Sequence, residues 1–135
     1  MNVPLLPRVG DEGYQRIFDD LFFPMADRYQ PQLMLVSAGY DAHWSDPLAG
    51  ENLTVAGYGS LSRTLVEMAQ AHCAGRIVFV LEGGYNLPAL KHGVAATFRA
   101  LLGDAEISDP LGASPHADTD ISDYVEQLRG LHRLV

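Results

Sequence analysis

The chain has 135 residues, the length of one ordinary domain, so several domains within it are excluded. With 47% apolar and 19% charged residues, its composition is that of a globular protein able to bury a core, not of a disordered or fibrous one. Nine basic against 17 acidic side chains leave a formal charge of -8, which offers no general attraction to phosphate backbones, so direct nucleic-acid binding is not expected.

Residues 2–6 read as a short extended piece. The Gly10-Asp11 pair then opens a stretch with Tyr14, Ile17, Phe18, Leu21, Phe22 and Met25 at helical spacing. Asp11 is the expected N-cap, and Pro24, inside the pattern, should bend or interrupt the helix. Residues 33–37, Leu-Met-Leu-Val-Ser, form an apolar run of the kind found in a strand covered on both faces of a parallel sheet. A polar stretch with Gly and Pro follows, residues 39–52. Thr54 should cap a helix carrying Tyr58, Leu61, Leu65, Met68 and Ala69 on one face, with Gly75 closing it. Residues 77–81, Ile-Val-Phe-Val-Leu, repeat the buried-strand pattern, so the middle of the chain reads as a right-handed strand, helix, strand crossover. This is an α/β layer architecture. Asn86, with Pro88 behind it, should cap a helix whose apolar face holds Leu90, Val94, Phe98, Leu101 and Leu102 before Gly103. Residues 104–118 read as a surface connection, and the stretch with Ile121, Tyr124, Val125, Leu128 and Leu131 as a short amphipathic helix within residues 119–135.

The lone Cys73 can form neither an internal disulfide nor a cysteine-based zinc site, which points to a reducing compartment. No basic and apolar leader opens the sequence, and no apolar run approaches the roughly 18 residues of a membrane span. The expectation is a soluble, cytoplasmic protein with no membrane partner. The sheet, however, looks incomplete. Two strong strands and one weak one are too few for a doubly covered parallel sheet, and an apolar strand on an open edge is an aggregation hazard. Either another chain pairs there, or the sequence is one part of a larger domain.

Ligands of open parallel sheets bind at the carboxyl ends of the strands. That rule selects Ser37-Ala-Gly-Tyr-Asp41-Ala-His43-Trp-Ser-Asp46-Pro47 and Glu82-Gly83-Gly84-Tyr85-Asn86. Asp41 offers a carboxylate suited to a metal or a cation. Tyr85 offers a phenol, and a phenol of ordinary pKa near 10 donates rather than abstracts at neutral pH. The glycines between allow close backbone approach to a ligand. A donor facing a metal-binding carboxylate suits an oxyanion on a metal-polarised carbonyl or phosphoryl group. The same residues also read blandly, as a turn-forming Asp, a tight Gly-Gly turn and a packing Tyr. Asp41-Ala42-His43 is a poor metal pair, since alternate residues of an extended segment point opposite ways, and His43 reads as a loop hydrogen-bonder. His72, His92, His116 and His132 read as structural or solvated.

The two loops, together with Asn52-Leu-Thr54-x-x-Gly57-Tyr58, the opening Asn2-Val-Pro-Leu and Gly10-Asp11-x-x-Tyr14, resemble the C-terminal part of the histone deacetylase superfamily. The likeness is greatest to the bacterial deacetylase-like amidohydrolases, acetylpolyamine amidohydrolases and acetoin-utilisation proteins, and it covers residues 2–103. The resemblance implies part of an arginase-like three-layer α/β/α fold around a parallel sheet, with zinc held by two aspartates and a histidine. It places Asp41 on the last zinc ligand and Tyr85 on the tyrosine that hydrogen-bonds the substrate carbonyl and its tetrahedral intermediate. Gly83 and Gly84 fall beside the acyl-lysine pocket, and Asp46 on a loop aspartate read as structural. The family's paired histidines and its Asp-x-His ligands have no counterpart here, whereas a catalytic zinc takes about three protein ligands plus water. The expected function is therefore that of a zinc-dependent deacetylase acting on acetyl-lysine, acetylpolyamine or small acetylated metabolites. This chain would be a C-terminal portion, inactive alone, that pairs with the missing N-terminal half. The alternative is a noncatalytic split or degenerate module pairing with another chain at its sheet edge, and, last, a small acyl-ligand binder at Gly83-Gly84-Tyr85.

Overall fold

The apolar spacing from Tyr14 to Met25 folds as one helical run in three parts: α1 (Asp11–Ile17), a π turn (Phe18–Phe22) and α2 (Phe23–Tyr29). The protein is described here by a computed structural model covering residues 1–134. Proline lacks an N–H and its ring presses on the carbonyl four residues back. The widened turn just ahead of Pro24, in which the Phe23 N–H bonds the Phe18 carbonyl, lets the run continue through it. Asp11 does not cap this run, contrary to expectation; Gly10 is the N-cap and supplies no side-chain bond. The Asp11 carboxylate instead accepts from the Thr54 N–H at 2.9 Å and the Thr54 hydroxyl at 2.5 Å. Thr54 itself caps α3 (Val55–Cys73), its oxygen accepting from the Gly57 N–H at 3.0 Å, so its own proton is free for Asp11. A β-carbon on Gly57 would overlap the Asp11 carboxylate, so glycine is what lets this group lie against the helix.

The two apolar runs form β1 (Met34–Ala38) and β2 (Ile77–Leu81), parallel and in register from Met34 opposite Ile77 to Ala38 opposite Leu81, with α3 between them in sequence. They are the only strands among the described residues. Val36, Ala38, Ile77 and Phe79 face α3 and α4 (Leu87–Leu101). The opposite face is bare: Leu35 is 70% exposed and Val80 50%. Cover on both faces was the expectation, and these residues supply helices for one face only.

Asn86 caps α4 by accepting from the Ala89 N–H at 3.1 Å. The face of α4 that buries is not the large apolar one. Ala89, Gly93, Ala96, Thr97 and Ala100 are buried, while Phe98 and Leu102 are 61% and 83% exposed. Small side chains let α4 approach α3 closely, and the larger ones turn toward the β2 side of the sheet, where Val94, Phe98 and Leu101 line an open groove with Phe79 and Leu81. Beyond α4 the chain has no regular structure until α5 (Ser122–His132), yet it is pinned, with Thr119 N–H bonding the Arg8 carbonyl at 2.8 Å. In α5, Val125 and Leu128 join Val9, Ile17 and Leu21 in one core, separate from a second core of Tyr40, Leu53, Tyr58 and Leu61. Val135, the last residue of the expected helical segment, lies outside the described residues. No helix among the described residues is long and apolar enough to cross a membrane.

Candidate active site

Both selected loops leave the same end of the two-stranded sheet, because the strands are parallel and adjacent. The ladder runs one step past the strands: Glu82 N–H bonds the Ala38 carbonyl at 3.0 Å and Tyr40 N–H bonds the Gly83 carbonyl at 2.9 Å. This sets Asp41 directly against the Gly-Gly pair. A β-carbon on Gly83 would lie 2.5 Å from Asp41 Oδ2, and one on Gly39 would lie 2.8 Å from Oδ1. The space that glycine opens at position 83 is thus already shared with the Asp41 carboxylate. Gly84 is a different case: its φ of +139° is one that side-chain-bearing residues rarely adopt, and it packs under Leu90 and the Tyr40 β-carbon. Tyr85 follows with its side chain 58% exposed.

A cavity of about 320 Å³ lies behind Asp41, lined also by Tyr14, Ser37, Tyr40, Tyr58 and Thr97. Burial, with negative charge from Glu51 and Asp41, pushes the Tyr14 phenol far above its ordinary value. Burial does the same to Tyr58, with smaller effects from Tyr14 and Asp41, and raises Tyr40 despite its 2.9 Å bond to Thr97. All three phenols stay protonated at neutral pH. The Tyr58 hydroxyl is buried with no hydrogen-bond partner among the described residues. Sequence reasoning placed Tyr40 and Tyr58 in the motifs without assigning them to this cavity, since nothing in their spacing says that three rings converge.

His43 is fully buried, bonded through Nδ1 to the Ser45 hydroxyl at 2.9 Å and accepting there from the Ser45 N–H at 3.2 Å. Burial lowers its pKa, against the raising charges of Asp109, Asp11 and Asp46. It is a loop hydrogen-bonder, as read from the sequence. Among the described residues no three His, Cys, Asp or Glu side chains are grouped to hold a metal ion. Asp41 stands alone, and these residues by themselves do not fit a zinc centre, which takes about three protein ligands.

A family model described as histone deacetylase domain matches residues 1–101. Histone deacetylase 14, chloroplastic, of Arabidopsis thaliana is 40% identical over 99% of this chain and 33% of its own length. The probable deacetylase of Archaeoglobus fulgidus is 43% identical over 71% of this chain and 28% of its own. The chain thus spans about a third of the length of the two chloroplastic histone deacetylases it matches, of Arabidopsis thaliana and Oryza sativa subsp. japonica. Among solved structures, the HDA15 HD domain aligns with a TM-score of 0.67 at 34% identity, covering 74% of this chain and 27% of that one. The histone deacetylase Clr3 aligns at 0.77 and 27% identity, covering 95% and 20%.

Proposed function

The chain belongs to the histone deacetylase family, and on that premise we propose that it carries the C-terminal portion of a zinc-dependent deacetylase domain. The substrates are acetyl-lysine, acetylpolyamine or related small acetamides. The observation that carries this reading is the delivery of Asp41 and the Gly83-Gly84-Tyr85 run to one end of the sheet by adjacent parallel strands. In this reading the Asp41 carboxylate is one ligand of the zinc, and Gly83 and Gly84 form a side-chain-free wall beside the acyl group. Tyr85 donates its O–H to the amide oxygen as negative charge develops on it. The remaining zinc ligands and the paired histidines of the family pattern are not in this sequence, so the chain is inactive alone. A cytoplasmic location, argued from the lone cysteine, belongs to the same proposal.

The open edges of the two-stranded sheet favour one second reading, a noncatalytic module that pairs with another chain there. One experiment separates the two: zinc content and hydrolysis of a fluorogenic acetyl-lysine substrate, on this chain alone and mixed with a candidate N-terminal half. Stoichiometric zinc and turnover only in the mixture support the deacetylase, and Tyr85→Phe should then lower turnover at least about 100-fold with zinc retained. No zinc and no turnover in any mixture favours the module. Activity of this chain alone would overturn the ligand count.

A further inference from the structure

Asp46 is 8% exposed and sits on the loop after Asp41, yet its partners lie mostly on the other loop. Its Oδ2 accepts from the Tyr85 N–H at 2.7 Å and the Asn86 N–H at 2.9 Å, and its Oδ1 from the Leu48 N–H at 3.0 Å. A return tie runs beside it, from Asn86 Nδ2 to the Ser45 carbonyl at 3.0 Å. The segment being held needs holding. Two glycines precede Tyr85, giving its backbone wide freedom, and the Tyr85 side chain is more than half exposed, so packing does not fix it. We infer that Asp46 is a positioning residue, setting where the Tyr85 phenol stands by clamping the backbone beneath it to the loop that carries Asp41. The inference rests on the reading of Tyr85 as the donor to the substrate oxygen. The chemistry requires a carboxylate. Donors approach both oxygens, so an amide at this position turns an NH2 group toward at least one backbone N–H however it is flipped.

The test uses the near-isosteric Asp46→Asn in the full chain, with 3-fluorotyrosine at position 85. The ¹⁹F resonance, sharp in the parent, should broaden or split in the variant while the far-ultraviolet circular dichroism is unchanged. In the mixture with the N-terminal half, kcat should fall about 10- to 100-fold, the cost of roughly an ångström of misplacement, with KM changed less than about twofold. In a Tyr85→Phe background the same change should cost less than about threefold. An unmoved resonance with unchanged kcat overturns the inference, and so does a full loss of turnover persisting in the Phe background. If Tyr85→Phe alone leaves turnover intact, the donor reading fails, and the fluorine resonance still decides the clamp. Should Asp46→Asn not fold, Asn86→Asp keeps the α4 cap but removes the Nδ2 donor to Ser45, and it should broaden or split the resonance likewise.

Discussion

Gly93→Ala tests whether the fold holds Tyr40, and so the start of the Asp41 loop, against α4. Alanine at an open helical site gains about 1 kcal/mol over glycine. Here the added β-carbon would lie 2.6 Å from Tyr40 Cδ1 and 3.2 Å from Cε1, so the ring must retreat about 0.8 Å to reach ordinary contact. That ring is 4% exposed, 5.1 Å from the Tyr58 ring, and tied through its hydroxyl to Thr97. Overpacking such a site costs about 2 kcal/mol, and stretching the buried hydroxyl bond about 1 kcal/mol more. The net expectation is a loss of about 2 kcal/mol, or roughly 8 °C in Tm for a chain of this size. Gly130→Ala in α5 is the internal control: no atom lies within 4 Å of its β-carbon, so the same substitution should gain up to about 1 kcal/mol. Thermal unfolding followed by circular dichroism measures both. If Gly93→Ala stabilises as Gly130→Ala does, Tyr40 is not wedged between sheet and helix, and the account of that loop is refuted.

Gly83→Ala forces the Asp41 carboxylate outward by nearly 1 Å but demands no unusual backbone angle. It should leave the stability within about 1 kcal/mol of the parent, and it should reduce turnover in the reconstituted domain about 100-fold; parental turnover would remove Asp41 from the site. The buried phenols Tyr14, Tyr40 and Tyr58 are all raised in the folded state. A raised group keeps its stabilising share below its unfolded pKa of about 10 and loses it as pH climbs toward the folded value, at roughly 1.4 kcal/mol per pH unit each. Alkaline unfolding should therefore be steep, with the absorbance of three phenolates appearing together as helical signal is lost; smooth ionisation of all tyrosines in the folded chain would contradict it. Leu35→Lys and Val78→Lys, on the bare sheet face, should reduce light scattering by the isolated chain and change stability by no more than about 0.5 kcal/mol. A large loss of stability would mean that the face is packed.

Strands, helices and the caps Thr54 and Asn86 were legible because each rests on local chemistry: an apolar run, a period of 3.6, an oxygen placed three residues before a free N–H. Asp11 was misread because the same chemistry has a competitor. A capping carboxylate satisfies any nearby donor, and Thr54, 43 residues away, came closer. The residues by which α4 meets α3 were not legible for a related reason. Large apolar residues advertise a face, but helix contact here selects Gly93 and three alanines, and the large residues turn toward the sheet. At the site, the positions of Asp41, Gly83, Gly84 and Tyr85 at the strand ends could be read from the sequence. The clamp by Asp46 and the convergence of three tyrosines could not, since each depends on which loops meet.

The docking of α5 on α1 bears on where this unit can be cut. The match to the family model ends at residue 101, and a boundary drawn there would remove Ile121, Val125, Leu128 and Leu134. Val9, Ile17 and Leu21, all at most 3% exposed in the intact chain, would lose the partners that shield them. Those partners are 100 residues or more apart in sequence, so their union closes a long loop. Closure of that kind is entropically late and slow. Until α5 docks, α1 keeps one apolar side open to solvent.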